Sequence, residues 1–260
     1  MTDRFAAIRE IAAEAGALAL SRWRTDFDRW EKSPGNPVCE VDLQVDALLR
    51  DRLGALDPEA GWLSEETADN AQRLGASRIW VVDPIDGTRD YIRGRDGWAV
   101  SIALVEAGRP IFGVLEAPAR GERWHAVEGQ GAYRGADRLI ASVRTDLAGA
   151  RVPADALAKA DRDFALVVKP NSIALRIAMV AAGEADLVAT LRWGNEWDVA
   201  AAVLIAREAG ASVTDALGRA IGFNTPEARA FGVLASAPGI HEAAVARLAD
   251  RARSAIGRSG

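Results

Sequence analysis

The sequence predicts an α+β protein, built as two α/β subdomains, 1–140 and 141–260, that meet near residue 140. Three observations carry this. The opening residues repeat apolar positions at helical spacing, residues 98–133 alternate β-rich runs with short turns, and beyond residue 139 short strands interleave with helices.

In "MTDRFAAIREIAAEAGALALSRW", Phe5, Ile8, Ile11 or Ala12, Ala15, Leu18 or Ala19 and Trp23 share one helical face. The spacing predicts a one-sided surface helix ending between Asp26 and Ser33. Pro34, Gly35 and Pro37 of "KSPGNPV" then break the chain into a loop. Helical spacing resumes over 40–56 through Val41, Leu43 or Val45, Leu48, Leu49 and Leu53. "GWLSEET" is a short apolar entry ending in Glu65 and Glu66, and Ile79–Val82 reads as a strand. "WAVSIALVEAGRPIFGVLEAPARGERWHAVEGQGAY" has the turns of an antiparallel meander. After it, the strands "ALVVK", "ADLVA", "ASVTD" and "FGVLAS" alternate with the helices "SIALRIAMVAAG", "EWDVAAAVLIAREAG" and "IHEAAVARLADRARSA". Gly183 and Gly210 stand where helix C-caps belong.

Composition narrows the function. With 49% hydrophobic and 27% charged residues, the chain has ample core material. A net charge of −5 without a basic tract argues against a nucleic-acid polymer as ligand. Cys39 is the single cysteine, which rules out an internal disulfide and a thiolate metal cluster and suits a reducing, cytoplasmic compartment. No signal-peptide core and no run long enough to cross a bilayer is present, so a soluble protein is expected.

The stretch "IWVVDPIDGTRDY" drives Asp83 and Asp86 onto the end of an apolar strand, where carboxylates are costly unless paired. Acids recur at two other structural transitions: Glu65 and Glu66 after "GWLS", and Asp198 after "NEW". Beyond Cys39 and two histidines, the potential ligands are oxygens, which suits a hard divalent cation, magnesium first. Pro84 favours a tight turn between the aspartates. Gly87 lets backbone approach a ligand, and Thr88–Tyr91 opens a helix whose first N–H groups suit an anion. A phosphate bridging cations and helix start would supply the missing counter-charge. Plainer roles compete: Asp198 suits a helix N-cap, Asp90 a helix first turn, and Glu66 a place behind the metal ligands or in solvent. His125 and His241 read as structural or exposed; Trp193, beside "NEWD", could flank a substrate.

These motifs, in this order and over nearly the whole chain, resemble the inositol monophosphatase superfamily of Mg2+-dependent, Li+-sensitive phosphatases. "DPIDGTRDY" is similar to its D-P-[IL]-D-G-T-x-x-[FY] signature and "WLSEET" to its paired-glutamate motif. "WDVAAAVLIAREAGA" is similar to its C-terminal element, with Ala211 replacing a glycine, and "KSPGNPVCEVD" to K-x-[DG]-x-x-x-V-T-x-x-D. The resemblance implies a layered αβαβα sugar-phosphatase fold. It implies that Glu65, Asp83 and the Ile85 carbonyl hold one Mg2+, that Asp83, Asp86 and Asp198 hold a second, and that Glu65 helps a third. It also implies that Gly87 and Thr88 bind phosphate, and that Thr88, bonded to Asp42, orients or deprotonates the attacking water. Lys32 matches a lysine near the site. Asn171 and Ser172, with Trp193, fall on the substrate side. Two departures stand out: Cys39 replaces a threonine, and Asn171 replaces a glycine.

The expected function is hydrolysis of a small phosphorylated metabolite. "GWLSEET" and "EWD" lean toward bacterial members resembling 3'(2'),5'-bisphosphate nucleotidase, acting on adenosine 3',5'-bisphosphate. Inositol-1-phosphate follows, then histidinol phosphate or fructose-1,6-bisphosphate. A homodimer is expected from relatives. Two rivals differ in class. An aspartyl-phosphate phosphatase would carry D-x-D-G-T, with its aspartates two apart rather than three. A transcription-machinery binding role could coexist with catalysis.

Overall fold

The apolar spacing at the N-terminus forms helix α1, Thr2–Arg22, in the computed structural model, which describes residues 2–33 and 36–257. The helix stops short of the expected Asp26–Ser33, because Arg24 takes a left-handed conformation (φ 63°) and turns the chain. Arg29–Ser33 (β1) then pairs antiparallel with Asn36–Cys39 (β2), so much of the expected loop is strand. Pro34 and Gly35 lie outside the described residues. Helix α2 follows over Glu40–Leu56.

One sheet organises the chain from Gly61 to Arg138. Its strands are β3 (Gly61–Ser64), β4 (Arg78–Asp86), β5 (Ala99–Glu106), β6 (Arg109–Ala117), β7 (Glu122–Val127), β8 (Ala132–Arg134) and β9 (Asp137–Arg138), side by side in chain order. Only β3 and β4 are parallel; from β4 onward the expected meander forms. Between β4 and β5 lies the short helix α3, Thr88–Ile92. The tight turn expected between the aspartates is absent. Strand β4 continues through Asp86, and its register against β5 slips between Asp83 and Asp86, since Pro84 has no N–H for the ladder.

Side chains alternate across a strand, and both faces of this sheet are apolar. Trp80, Val82, Ile102, Leu104 and Phe112 pack with Ile8 and Ala12 of α1 and Leu49 of α2. Val81, Ala103, Val105 and Leu115 point the other way, into a second core. Each large buried side chain contributes about 1.5–3 kcal/mol, which makes a platform able to hold desolvated carboxylates at its edge.

The remaining elements are β10 (Arg151–Pro153), β11 (Ala165–Val167), α4 (Ile173–Ala181), β12 (Leu187–Ala189), β13 (Trp193–Asn195), α5 (Ala200–Glu208), β14 (Ser212–Thr214), β15 (Arg229–Phe231), β16 (Leu234–Ser236) and α6 (His241–Ile256). Helix α5 begins after "EWD" rather than at it, and "FGVLAS" divides into β15 and β16. Helices α4 and α5 fill the space between the large sheet and the small sheet β12-β16-β14. Helix α6 covers the far side of that small sheet through Ala244 and Leu248, against Leu187 and Leu234. The layers run αβαβα, as the resemblance implied. Gly113 lets α5 lie close on the sheet: a Cβ there would lie 2.8 Å from the Ala201 carbonyl oxygen of α5. Among the described residues, no helix is long and apolar enough to cross a membrane.

Candidate active site

Three elements deliver acids to one cleft of about 630 Å3. Strand β4 ends in Asp83 and Asp86, Glu65 follows β3 on the parallel neighbour, and Asp198 precedes α5. One carboxylate oxygen from each of Glu65, Asp83 and Asp198 lies within 4.8 Å of the other two. Asp83 is 1% exposed, and the Ile85 N–H donates to its Oδ1 at 3.0 Å. Burial, then Glu65, Asp86 and Asp198, push its carboxyl well above the usual range. Asp198 is pushed up to about 8 by burial and by Asp86 and Glu65. Neither Asp83 nor Asp198 has an ion pair among the described residues. Crowded, buried carboxylates lacking a cationic partner fit a hard divalent cation, which would offset both repulsion and desolvation.

Asp86 sits differently. Its carboxylate accepts the Ser172 hydroxyl, the Ala174 N–H at 2.8 Å and the Ile173 N–H at 3.3 Å. It therefore closes the N-terminus of α4. Burial raises its carboxyl to about 6 against these donors and Arg176. Asp198 is not the N-cap of α5, a place taken by Val199; its Oδ2 accepts the Asn195 N–H at 3.1 Å.

Behind the acids, the Thr88 hydroxyl lies 3.0 Å from the Ile85 carbonyl and 3.3 Å from Asp42 Oδ1. Asp42 is held in turn by the Cys39 N–H at 2.8 Å and the Cys39 thiol at 2.9 Å. The cysteine thus donates to Asp42 from both its backbone and its side chain. Burial raises Asp42 to about 6. Gly87, at the mouth of α3, has φ 98°, and a Cβ there would meet the Gly97 carbonyl at 2.7 Å, so only glycine fits. Lys32 reaches Glu65 Oε1 at 3.3 Å and Glu66 Oε1 at 2.5 Å. Burial pushes Glu66 up to about 7, with Lys32 opposing it.

The substrate-side residues separate. Trp193, 41% exposed, and Asn171 line the cleft. Ser172 does not: it is fully buried, caps α4 through the Leu175 N–H, and donates to Asp86. A buried hydroxyl spent on Asp86 is out of reach of a substrate. Asp90 also turns inward, accepting the Asn171 N–H at 3.1 Å. His125 stacks on Tyr133, and His241 bonds Ser236 and Thr214, so both serve structure.

Sequence reading missed the cationic wall: Lys169, Arg176, Arg192 and Arg229 all line the cleft. No motif marks them, since they come from four separate segments. It also missed Glu196, fully buried, which accepts the N–H groups of Asn224 at 2.7 Å and Thr225 at 2.9 Å.

The profile of the inositol monophosphatase family matches residues 1–254 of this chain. The chain belongs to the inositol monophosphatase family. As a member of that family it is a phosphatase. It is 31% identical over 242 residues to a fructose-1,6-bisphosphatase/inositol-1-monophosphatase of Thermotoga maritima, covering 88% of each chain. It is 35% identical over 194 residues to a histidinol-phosphatase of Mycobacterium tuberculosis, covering 68% of this chain and 74% of the relative. To a 3'(2'),5'-bisphosphate nucleotidase CysQ of Escherichia coli it is 30% identical over 212 residues, covering 77% and 85%. Its fold superposes on an IMPase of Thermotoga maritima with a TM-score of 0.83 at 28% identity, covering 99% of this chain and 100% of that one. The family acts on small phosphorylated substrates and is generally Mg2+-dependent.

Proposed function

We propose that this phosphatase hydrolyses the phosphomonoester of a nucleoside 3'(2'),5'-bisphosphate, with adenosine 3',5'-bisphosphate as its substrate. The observation that carries the reading is the set of Glu65, Asp83 and Asp198 oxygens within 4.8 Å, in a cleft that Trp193, Arg176, Arg192 and Arg229 also line. Glu65, Asp83, Asp86, Asp198 and the Ile85 carbonyl would hold Mg2+. Bound there, the cations supply activation of water and neutralisation of phosphoryl charge.

The chain's own residues do the rest. Thr88 directs its hydroxyl proton to Asp42 and keeps lone pairs to orient the attacking water. Asp42 holds that hydroxyl because Cys39 donates to its other oxygen twice. Gly87, with no side chain, leaves room for the phosphate against α3. Ser172 and the first N–H groups of α4 fix the Asp86 carboxylate. Trp193 offers an aromatic edge on which adenine can pack.

Inositol-1-phosphate is the second reading, favoured by the Thermotoga maritima relative that bears that activity in its name. Phosphate release from adenosine 3',5'-bisphosphate, inositol-1-phosphate, histidinol phosphate and fructose-1,6-bisphosphate, each with Mg2+ and with added Li+, separates the readings. The bisphosphate nucleotide is expected to give the highest kcat/KM and Li+ to suppress it. A higher value on inositol-1-phosphate would replace the reading, and turnover surviving EDTA would remove its metal chemistry.

A further inference from the structure

Helix α2 carries two buried aspartates one turn apart, Asp42 and Asp46, which are 2% and 7% exposed. Residues at this spacing share a helical face, so both carboxylates reach the ends of the parallel strands β3 and β4. Asp42 meets Thr88, just past β4. Asp46 meets the end of β3. Its Oδ1 accepts the hydroxyl of Ser64, the last residue of that strand, and its Oδ2 accepts the Thr67 hydroxyl at 2.7 Å. The proposed chemistry uses Asp42 and gives Asp46 no task.

Glu65 lies between Ser64 and Thr67. It leaves a strand of only four residues, and its side chain is 20% exposed where Asp83 is enclosed. Its N–H continues the ladder to the Val82 carbonyl at 3.3 Å, and the Ser64 hydroxyl oxygen accepts the Glu66 N–H at 3.3 Å. Asp46 therefore grips the chain on both sides of Glu65, and does so from a helix rather than from the loop itself. No cation pairs with Asp46 among the described residues. A buried carboxylate is costly to desolvate, and a joint built only for stability would be served as well by apolar packing. Hydrogen bonds to a carboxylate add direction: each oxygen fixes one hydroxyl, and through it the path of the backbone.

We infer that Asp46 is a positioning residue for Glu65: by holding Ser64 and Thr67 it sets the place of the Glu65 carboxylate, and so the affinity for the Mg2+ that Glu65 helps to hold. Groups that orient a metal ligand from behind govern metal affinity nearly as strongly as the ligand does. The inference rests on the proposed placement of Mg2+ at Glu65 and not on which phosphorylated substrate is cleaved. It also gives the serine of "WLSEET" a task, since its hydroxyl is one of the two that Asp46 holds.

The test is Mg2+ binding, measured by isothermal titration calorimetry on wild type, Glu65→Gln, Asp46→Asn, Ser64→Ala, Thr67→Val, Thr67→Ser and the double variant Asp46→Asn/Glu65→Gln. Asp46→Asn is expected to weaken by about tenfold or more the Mg2+ binding that Glu65→Gln also weakens. Ser64→Ala and Thr67→Val should weaken it less, in the same direction. Thr67→Ser keeps the hydroxyl and should stay near wild type. In the Glu65→Gln background, Asp46→Asn should change Mg2+ affinity little further, because the ligand through which it acts is already altered. Kinetics should agree: Asp46→Asn needs more Mg2+ but regains most of the wild-type kcat at saturating Mg2+, with KM for substrate unchanged. Wild-type Mg2+ affinity in a folded Asp46→Asn protein overturns the inference. So does a loss that adds in full to that of Glu65→Gln, which marks a general structural role. If circular dichroism shows that Asp46→Asn does not fold, Ser64→Ala and Thr67→Val decide, and wild-type affinity in both overturns the inference. Unchanged Mg2+ affinity in Glu65→Gln removes the proposed metal placement itself, and the inference with it.

Discussion

The Ser172 hydroxyl donates to the Asp86 carboxylate, joining the start of α4 to the end of β4 across 86 residues of chain. Asp86 is therefore both a candidate metal ligand and a cap for α4. Two neighbouring aspartates should then respond differently to the same substitution.

Asp83→Asn is expected to abolish most turnover while leaving the metal-free protein as stable as wild type or more so. It removes one of several repelling buried carboxylates and keeps an acceptor for the Ile85 N–H. Asp86→Asn should also abolish turnover but gain less stability than Asp83→Asn, because Ser172, the first N–H groups of α4 and Arg176 offset part of the cost of burying the Asp86 charge. Thermal unfolding in EDTA reads the difference; equal midpoints for the two variants would count against the capping role.

Thr88→Ala is expected to lower kcat by about 10²–10⁴-fold with little change in KM, because its hydroxyl orients water through Asp42. Steady-state kinetics decide it. A change confined to KM would move Thr88 from catalysis to binding.

Mg2+ should raise the unfolding temperature, by an amount corresponding to about 2.7 kcal/mol at one hundred times its dissociation constant. In Asp198→Asn the shift should shrink sharply, since Asp198 supplies one corner of the oxygen cluster. A full Mg2+ shift in that variant would place the ion elsewhere.

Asp186, 1% exposed, is raised by burial but held down to about 2 by Arg151, whose guanidinium lies 2.8 Å away. A lowered folded-state value means stability present above the unfolded carboxylate range and lost as pH falls through about 2. Arg151→Met should destabilise the protein by about 3 kcal/mol at neutral pH, by leaving a buried charge without its main partner. It should also move acid unfolding to higher pH. An unchanged acid limb, followed by circular dichroism, would show that Arg151 does not set it.

The sequence by itself determined the local features. Periodicity gave α1, α2 and the meander, because each depends on side chains a few residues apart. The run into Asp83-Pro84-Ile85-Asp86-Gly87 marked the site, because charge at the end of an apolar strand demands a partner. Tertiary structure alone decided which acids converge, that Ser172 turns inward to Asp86, and that Arg192 and Arg229 border the same cleft. It also decided that 29–33 becomes a strand, since that segment is extended by pairing with 36–39 and carries no apolar pattern of its own. Contacts between residues far apart in the chain exist only after the layers pack, and a spacing rule has no term for them.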